Sequence, residues 1–149
     1  MVAQSLYQAT AVSIGDRALL LSGPPGCGKS SLALALIDRG ASLVGDDGVA
    51  LDVREGRVWA GPPEATCGLI EVRGVGIVSL AAVSAPVALV LRAHDNPPRF
   101  VESVASIDLA GVAVPVLPFD FASPFAHLRA EHALALYGLP HSGPMGGPA

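Results

Sequence analysis

Short apolar runs separated by turns rich in glycine, proline and aspartate dominate the chain, and two stretches with helical spacing interrupt them. Apolar runs of about four to eight residues between turn residues predict buried strands, whereas longer periodic stretches predict helices. The pattern predicts strands over residues 6–14, 18–21, 41–44, 49–53, 57–60, 69–78, 86–91 and 112–116, the run 69–78 leading into a mobile loop. It predicts helices over residues 31–39 and 123–137, with Ser123 as the N-cap of the second and Gly40 and Gly138 ending them. We therefore expect one α/β domain over residues 1–138 and a disordered tail over residues 139–149.

Two turn pairs predict tight hairpins. Gly15-Asp16 separates the first two predicted strands, and Glu55-Gly56 separates residues 49–53 from residues 57–60. Glycine in such a pair supplies the positive φ angle that a short hairpin turn needs. We therefore expect the sheet to begin antiparallel, with Trp59 on a buried or partner-facing side of the second hairpin.

The strongest chemical signal lies between the strand at 18–21 and the helix at 31–39. Gly23-Pro24-Pro25-Gly26-Cys27-Gly28-Lys29-Ser30 fits the phosphate-binding pattern G-x-x-x-x-G-K-[ST]. Its glycines let backbone amides point at phosphate oxygens, and the following helix adds its positive dipole end. Lys29, the only lysine, supplies charge for the outer phosphates, and Ser30 offers a hydroxyl to Mg²⁺. The motif predicts nucleoside triphosphate binding by Gly23, Gly26, Cys27, Gly28, Lys29, Ser30 and Ser31.

Two adjacent carboxylates, Asp46 and Asp47, follow the predicted strand at 41–44. Adjacent side chains on an extended backbone point in opposite directions, so the two favour different roles. One carboxylate would face the magnesium ion, and the other would take the proton of an attacking hydroxyl. An acidic turn without catalytic use is the structural alternative.

Further charged residues are weaker candidates. Asp95 follows an apolar strand and is an alternative metal-side acid, although Pro97-Pro98 indicates an exposed turn there. Glu71 and Arg73 share one face of their predicted strand and are as easily an ion pair as a functional pair. Arg99 would stabilise phosphoryl charge or be merely solvated.

Composition narrows the class of protein. The 149 residues carry a net charge of −4 without an arginine cluster, which argues against nucleic-acid binding. Cys27 and Cys67 lack zinc or redox spacing, and the N-terminus lacks a secretory signal, so a cytoplasmic protein is expected. Residues 74–91 are all uncharged, but they include glycines, serines and Pro86, so we expect a loop and a strand there rather than a membrane span. The 51% hydrophobic content favours contact with another subunit.

Four segments together resemble the catalytic domain of HPr kinase/phosphorylase, in the short form that lacks the N-terminal domain. They are Ala9-Thr10-Ala11-Val12, the loop at 23–30, Leu43-Val44-Gly45-Asp46-Asp47, and Gly68-Leu69-Ile70-Glu71-Val72-Arg73-Gly74-Val75-Gly76-Ile77-Val78. The last is the family signature and is more specific than the loop. The resemblance spans the chain to about Tyr137.

This resemblance implies an ATP- and Mg²⁺-dependent enzyme that phosphorylates a serine of HPr, a carrier protein of the phosphotransferase system, and removes that phosphate with inorganic phosphate. It implies a P-loop-containing mixed sheet similar to the nucleotide-binding core of phosphoenolpyruvate carboxykinase, assembled into homo-oligomers, typically hexamers. The implied catalytic residues are Asp46 as base, Lys29 and Arg99; the implied metal ligands are Ser30, Asp47 and Glu71; Arg73, Gly74 and Gly76 belong to the loop near the partner.

The chain departs from the family pattern at three places. Gln8 stands where the family usually has histidine, Pro24-Pro25 remove two amide donors from the loop, and the C-terminal basic segment of the long form has no match. These departures weaken the expected dephosphorylation more than nucleotide binding. Two other functions remain open on sequence alone, a nucleotide-sensing regulator without transfer and a small-molecule P-loop kinase.

Overall fold

The computed structural model describes residues 5–141, which form a mixed α/β fold. The strands are β1 (Ser5–Tyr7), β2 (Thr10–Ile14), β3 (Arg17–Ser22), β4 (Ser42–Gly45), β5 (Val49–Arg54), β6 (Arg57–Gly61), β7 (Leu69–Val72), β8 (Gly76–Ser79), β9 (Ala85–Ala93), β10 (Ala105–Leu109) and β11 (Val112–Phe119). The helices are α1 (Lys29–Asp38) and α2 (Ala126–Tyr137).

The main sheet of the described chain is curled and branches at β9. Its order is β1-β5-β6-β9-β3-β2-β4, and β11, which carries β10 on its other side, also pairs with β9. Strand β9 pairs with β6 through its first residues and with β11 through its last ones, and it is parallel to β3 and β11. Strands β7 and β8 form a separate hairpin.

Alternation of side chains along β3 creates two apolar cores. Leu19 and Leu21 face α1 and α2, whereas Ala18 and Leu20 face the core enclosed by the curled sheet. All four are fully buried. A strand with apolar residues on both faces belongs between two layers, which explains the continuous apolar run in the sequence.

Both predicted hairpins are confirmed. Strands β2 and β3 pair antiparallel around Gly15-Asp16, and β5 and β6 pair antiparallel around Glu55-Gly56. Trp59 is half-buried, and the guanidinium of Arg54 lies 4.6 Å from its ring centroid.

Several predicted boundaries were wrong. Residues 6–14 form two strands because β1 pairs with β5 while β2 pairs with β3 and β4, and the chain changes partners at Gln8 and Ala9. Residues 69–78 form the antiparallel β7–β8 hairpin rather than one strand and a loop, because Gly74 and Gly76 adopt φ angles of 80° and 135° that reverse the chain. Strand β10 was not predicted, since its sequence is mostly exposed and shows little apolar alternation.

Ser123 is not the N-cap of α2. Its hydroxyl donates a hydrogen bond to the carbonyl oxygen of Asp120 at 2.9 Å, and the helix begins at Ala126, preceded by Phe125 with φ 62°. The helix ends before Gly138, as predicted. None of the described helices is long and apolar enough to span a bilayer.

The chain beyond α2 is hydrogen-bonded to the sheet as far as it is described. The Leu139 amide donates to the Ala88 carbonyl at 2.9 Å, and the Leu139 carbonyl accepts from Arg17 at 3.0 Å. Arg57 donates to the Pro140 carbonyl at 2.9 Å, and burial, followed by the nearby Arg17 charge, lowers the Arg57 pKa. Residues 142–149, the rest of the predicted tail, lie outside the described residues.

Candidate active site

Four strands end at the same edge of the sheet. Strands β11, β9 and β3 are parallel, and β4 runs the same way because both β3 and β4 are antiparallel to β2. The glycine-rich loop follows β3, and Asp46 and Asp47 follow β4. Ligands of open α/β sheets bind outside the carboxyl ends of parallel strands. The two strongest sequence candidates therefore lie side by side at the edge where a ligand is expected.

The glycine-rich loop joins β3 to α1 in the order that the motif requires. Gly28 precedes the helix with φ 106°, a conformation that a residue with a Cβ rarely adopts. The first-turn amides of α1, including those of Ser30 and Ser31, have no partner inside the helix. Together with the helix dipole they make this end suited to an anion.

Lys29 is turned back onto the loop itself. Its side chain is buried, with 8% of the residue exposed. The ammonium donates to the carbonyl oxygen of Gly23 at 2.5 Å and lies 3.5 Å from that of Pro24. A charged group removed from water needs such acceptors, and these two carbonyls supply them.

Asp46 is the hub of the hydrogen bonds that connect the loop to the acidic turn. The Ser30 hydroxyl donates to its Oδ1 at 2.6 Å, and the Thr10 hydroxyl donates to the same oxygen at 3.1 Å. Its Oδ2 accepts from the backbone amide of Glu71 at 3.0 Å. One carboxylate thus connects β2, α1 and β7.

Thr10 is a residue that the sequence reasoning did not single out as functional. It is fully buried, and its Oγ1 accepts the amide of Asp47 at 3.1 Å while donating to Asp46. The available signal was a hydroxyl inside an otherwise apolar strand, since a buried polar group requires partners. Asp47 itself is exposed, with φ 60°. The turn therefore directs the two carboxylates differently, Asp46 into the network and Asp47 towards solvent.

The β7–β8 hairpin closes one side of the site. Ile70 is buried in the core beneath the helices, whereas Glu71 and Arg73 are exposed and border the same cavity as Asp47. The ion pairs within residues 5–141 are Arg39–Glu131 and Arg54–Asp52, so Glu71 and Arg73 do not form the salt bridge that the sequence left open. Both charges face the cavity and remain available to a ligand.

The cavity enclosed by these elements has a volume of about 320 Å³. Of the predicted site residues, those that border it are Gly26, Gly28, Lys29, Ser30, Ser31, Asp46, Asp47, Glu71 and Arg73. Gly23, Cys27, Gly74 and Gly76 lie outside its lining, Gly23 and Cys27 within the loop and the other two at the hairpin tip. Arg99 and Asp95 border a different cavity, next to β9 and β11.

Magnesium fits the donor atoms at this site. The hydroxyl of Ser30 and the carboxylates of Asp47 and Glu71 are oxygen ligands, which Mg²⁺ prefers. Within the part of the chain that is described, no three His, Cys, Asp or Glu side chains form a metal-holding group on their own. Mg²⁺ is usually held by one or two carboxylates together with water and substrate phosphates, so a complete protein cage is not required.

Comparison with known proteins identifies the family. Residues 1–86 match the family model described as the HPr Serine kinase C-terminal domain. The HPr kinase/phosphorylase of Clostridium perfringens is 37% identical over 83 residues, which cover 56% of this chain and 27% of that protein. The corresponding protein of Clostridium tetani is 43% identical over 65 residues, which cover 44% of this chain and 21% of that protein. The chain thus spans about a quarter of the length of these relatives.

A solved structure shares the fold. The Hpr(Ser) kinase/phosphatase from Coxiella burnetii superposes with a TM-score of 0.75 at 24% sequence identity, and the match covers 88% of this chain and 94% of that one. The structural match extends past residue 86, where the family model stops, into β9 and the elements after it. Because the family model matches more than half of the residues of this chain, the chain belongs to the HPr serine kinase C-terminal domain family.

Proposed function

We propose that this chain is an ATP-dependent serine kinase domain whose substrate is an HPr-type phosphocarrier protein. The observation that carries the proposal is the hydrogen bond from the Ser30 hydroxyl to Asp46 Oδ1 at 2.6 Å. It joins the last residue of the phosphate-binding motif to a carboxylate that can act as the base for the acceptor hydroxyl. The family membership, and the names of the Clostridium and Coxiella relatives, support the same chemistry.

The nucleotide phosphates would bind between the loop and the acidic turn. The ammonium of Lys29 would exchange the carbonyls of Gly23 and Pro24 for phosphate oxygens, while the first-turn amides of α1 hold the phosphates next to it. Pro24 and Pro25 provide no amide, so the later residues of the loop and Lys29 supply the donors. Mg²⁺, held by Ser30, Asp47 and Glu71, would neutralise phosphate charge.

Transfer itself would be a displacement at phosphorus. The serine oxygen of the carrier forms a bond to the γ-phosphorus, the bond from that phosphorus to the β–γ bridging oxygen breaks, and ADP leaves. Asp46 takes the proton of the serine hydroxyl. Its carboxylate is held in place by the bonds from Thr10, Ser30 and the Glu71 amide, so positioning is supplied before the substrate arrives.

The surface beside the cavity suits a folded protein substrate. At the tip of the β7–β8 hairpin, Val75 is 76% exposed and Ile77 is 66% exposed, next to the exposed cation Arg73. Exposed apolar residues flanking a reactive site favour a macromolecular partner over a small molecule. This hairpin is therefore the surface proposed to contact the carrier.

The reverse reaction, attack of inorganic phosphate on the phosphoserine, is proposed to be weak. Gln8 is exposed near the start of β2, and a glutamine can carry neither a proton nor a positive charge to a phosphate.

The remaining properties implied by the family resemblance complete the proposal: similarity of the sheet to the core of phosphoenolpyruvate carboxykinase, a cytoplasmic location and a homo-oligomer such as a hexamer. Phe100, Leu136 and Leu6, each more than 70% exposed, are candidates for subunit contacts.

One experiment tests transfer directly. The purified chain is incubated with γ-labelled ATP, magnesium and an HPr-type carrier, and the labelled residue is mapped by mass spectrometry. We expect label on a single serine of the carrier, lost in Lys29→Met and slowed at least about a hundredfold in Asp46→Asn. Unlabelled phosphate is then added to the phosphorylated carrier, and we expect little pyrophosphate to form.

The alternative is a nucleotide-sensing regulator without transfer, which Gln8 and the two loop prolines favour. It predicts magnesium-dependent ATP binding with no label on any carrier that contains the acceptor serine. That result would replace the kinase assignment. Labelling of a small molecule in place of the carrier would instead support the third function left open by the sequence, a small-molecule kinase.

A further inference from the structure

A second cavity, of about 670 Å³, lies on the opposite side of the glycine-rich loop from the acidic turn. It is bordered by the segment after β9, by the end of β11 and by α2. Its volume is within the range of about 300 to 1,000 Å³ that is typical of small-molecule sites. Nothing in the transfer chemistry described above uses it.

This cavity and the loop are separated by a single layer of residues. A Cβ at Gly28 would lie 3.4 Å from Phe121 Cβ, and a Cβ at Gly23 would lie 2.6 Å from Ala93 Cβ, so the loop packs directly on the ends of β9 and the segment after β11. The residue preceding Phe121, Asp120, borders the cavity. The His94 amide, bonded to the Phe119 carbonyl at 2.8 Å, holds these two segments together. The cavity therefore begins one residue layer away from the loop, on the side of β9 and β11.

The order of strands determines which end of a nucleotide lies on which side. In the sheet, β4 with Asp46 and Asp47 lies on one side of β3, while β9 and β11 lie on the other. The terminal phosphate must lie near the carboxylates for transfer to occur. The nucleoside end of a linear triphosphate therefore points away from them, across the loop and towards the ends of β9 and β11.

The lining of the second cavity combines apolar wall with polar groups and with charges of both signs. Val101 and Leu117 supply apolar wall, and Asn96 and Asp120 supply groups for hydrogen bonds to a base or a sugar. The carboxylates of Asp95 and Asp120 balance the guanidinium groups of Arg99 and Arg129, and a guanidinium can stack on the face of a base. This mixture of apolar wall and a few polar groups is typical of cofactor sites.

We propose that this cavity binds the base and ribose of the nucleotide whose phosphates occupy the glycine-rich loop. The inference rests on the proposed function, because it takes the triphosphate in the loop as given. It also places Arg99, which borders this cavity, on the nucleoside side of the nucleotide rather than next to the transferred phosphoryl group.

The test compares ATP with inorganic triphosphate, which has the phosphates but no nucleoside, by calorimetric titration in the presence of magnesium. For the wild-type chain we expect ATP to bind at least about tenfold more tightly. Val101→Trp would fill the cavity and reduce ATP affinity to that of triphosphate, leaving triphosphate binding unchanged. Val104→Trp is the matched control, since Val104 is also 41% exposed but does not border this cavity, and it should bind both ligands as wild type does.

Photolabelling gives an independent measurement that does not depend on a variant folding. We expect 8-azido-ATP to label peptides within residues 95–101 or 118–132 of the wild-type chain. Equal affinity for ATP and triphosphate, wild-type ATP affinity in folded Val101→Trp, or label confined to the β7–β8 hairpin would each overturn the inference while leaving phosphate binding intact. Failure of the wild-type chain to bind either ligand would instead overturn the proposed function.

Discussion

Replacing Asp46 by asparagine should affect stability as well as transfer, and the hydrogen bonds set the magnitude. Three donors converge on the carboxylate, two on Oδ1 and the Glu71 amide on Oδ2. An asparagine can keep its oxygen towards Ser30 and Thr10, but its NH₂ group then faces the Glu71 N–H, donor against donor. A partly buried donor left without an acceptor costs about 1 to 2 kcal/mol.

This loss is large enough to measure by calorimetry. For a chain of this size, about 1 kcal/mol corresponds to about 2 to 4 °C in the unfolding midpoint, so Asp46→Asn should unfold about 2 to 8 °C below wild type. Transfer to the carrier should fall by about two to four orders of magnitude, because an amide cannot take the serine proton. The two effects have separate readouts, the calorimetric midpoint and the initial rate of labelling.

Asp47→Asn is the matched control for stability. It makes the same chemical change one residue away, on an exposed side chain whose carboxylate accepts no hydrogen bond from residues 5–141. Its midpoint should equal that of wild type, while its magnesium requirement should rise. If Asp46→Asn and Asp47→Asn unfold at the same temperature, the network around Asp46 contributes nothing to stability and the reasoning fails.

Three further perturbations test other parts of the structure. Thr10→Val keeps the side-chain shape but leaves the Asp47 amide without an acceptor, so the free energy of unfolding in urea should fall by about 1 to 3 kcal/mol and transfer should slow. Thr10→Ser should restore both the stability and the rate. A rate that Thr10→Ser does not restore would exclude the hydroxyl as the cause. A Cβ at Gly45 would overlap the carbonyl oxygen of Gly48, so Gly45→Ala should destabilise the chain by about 2 kcal/mol or more, measured as a lower urea midpoint at unchanged slope. The hydrogen bond from Arg39 lowers the pKa of Glu131 below its ordinary value of 4.5. The pair therefore stabilises the fold above that pH, and this stabilisation is lost on acidification. In an acid titration, Glu131→Gln should be less stable than wild type near neutral pH and should lose less stability between pH 5 and 3.

The sequence predicted the elements whose apolar pattern and turns agree locally. Strand β3, the loop and α1 follow from an apolar run, a glycine motif and a helix with a glycine stop. The β2–β3 and β5–β6 hairpins follow from turn pairs that favour positive φ. Local chemistry was sufficient for these elements.

Elements that depend on distant partners were missed. Strand β10 is exposed on most of its residues and is held by pairing with β11, which no local pattern reveals. Ser123 has the residue type of an N-cap, but its hydroxyl is used by the Asp120 carbonyl, and α2 begins where Ala126 meets the core. A local hydrogen bond to the backbone three residues earlier thus competes with capping, while packing of Ala126 in the core sets the start of α2.

The candidate site likewise has features that the sequence predicted and features that it did not. The motif and the strand-end position of Asp46 and Asp47 were sufficient to bring the loop and the acids together, because parallel strands end at one edge. The hydrogen-bond partners of Thr10 depend on β2 lying beside β4, and the second cavity depends on α2 lying near the end of β11, so neither follows from a local pattern alone. Arg99, for which the family resemblance implied a catalytic role, borders the second cavity rather than the first, and that role stays a prediction.

The direction of the Ser30 hydrogen bond links the two halves of the site. Because Ser30 donates its proton to Asp46, its oxygen lone pairs remain free, which is the state that a cation ligand requires. The same bond occupies Asp46 Oδ1, while Asp47 is left exposed beside it, so the geometry favours Asp47 over Asp46 as the carboxylate presented to a metal ion. A Ser30→Ala variant should therefore weaken magnesium-dependent binding of ATP more than it weakens metal-free binding. Equal weakening of both would mean that Ser30 serves only to position Asp46.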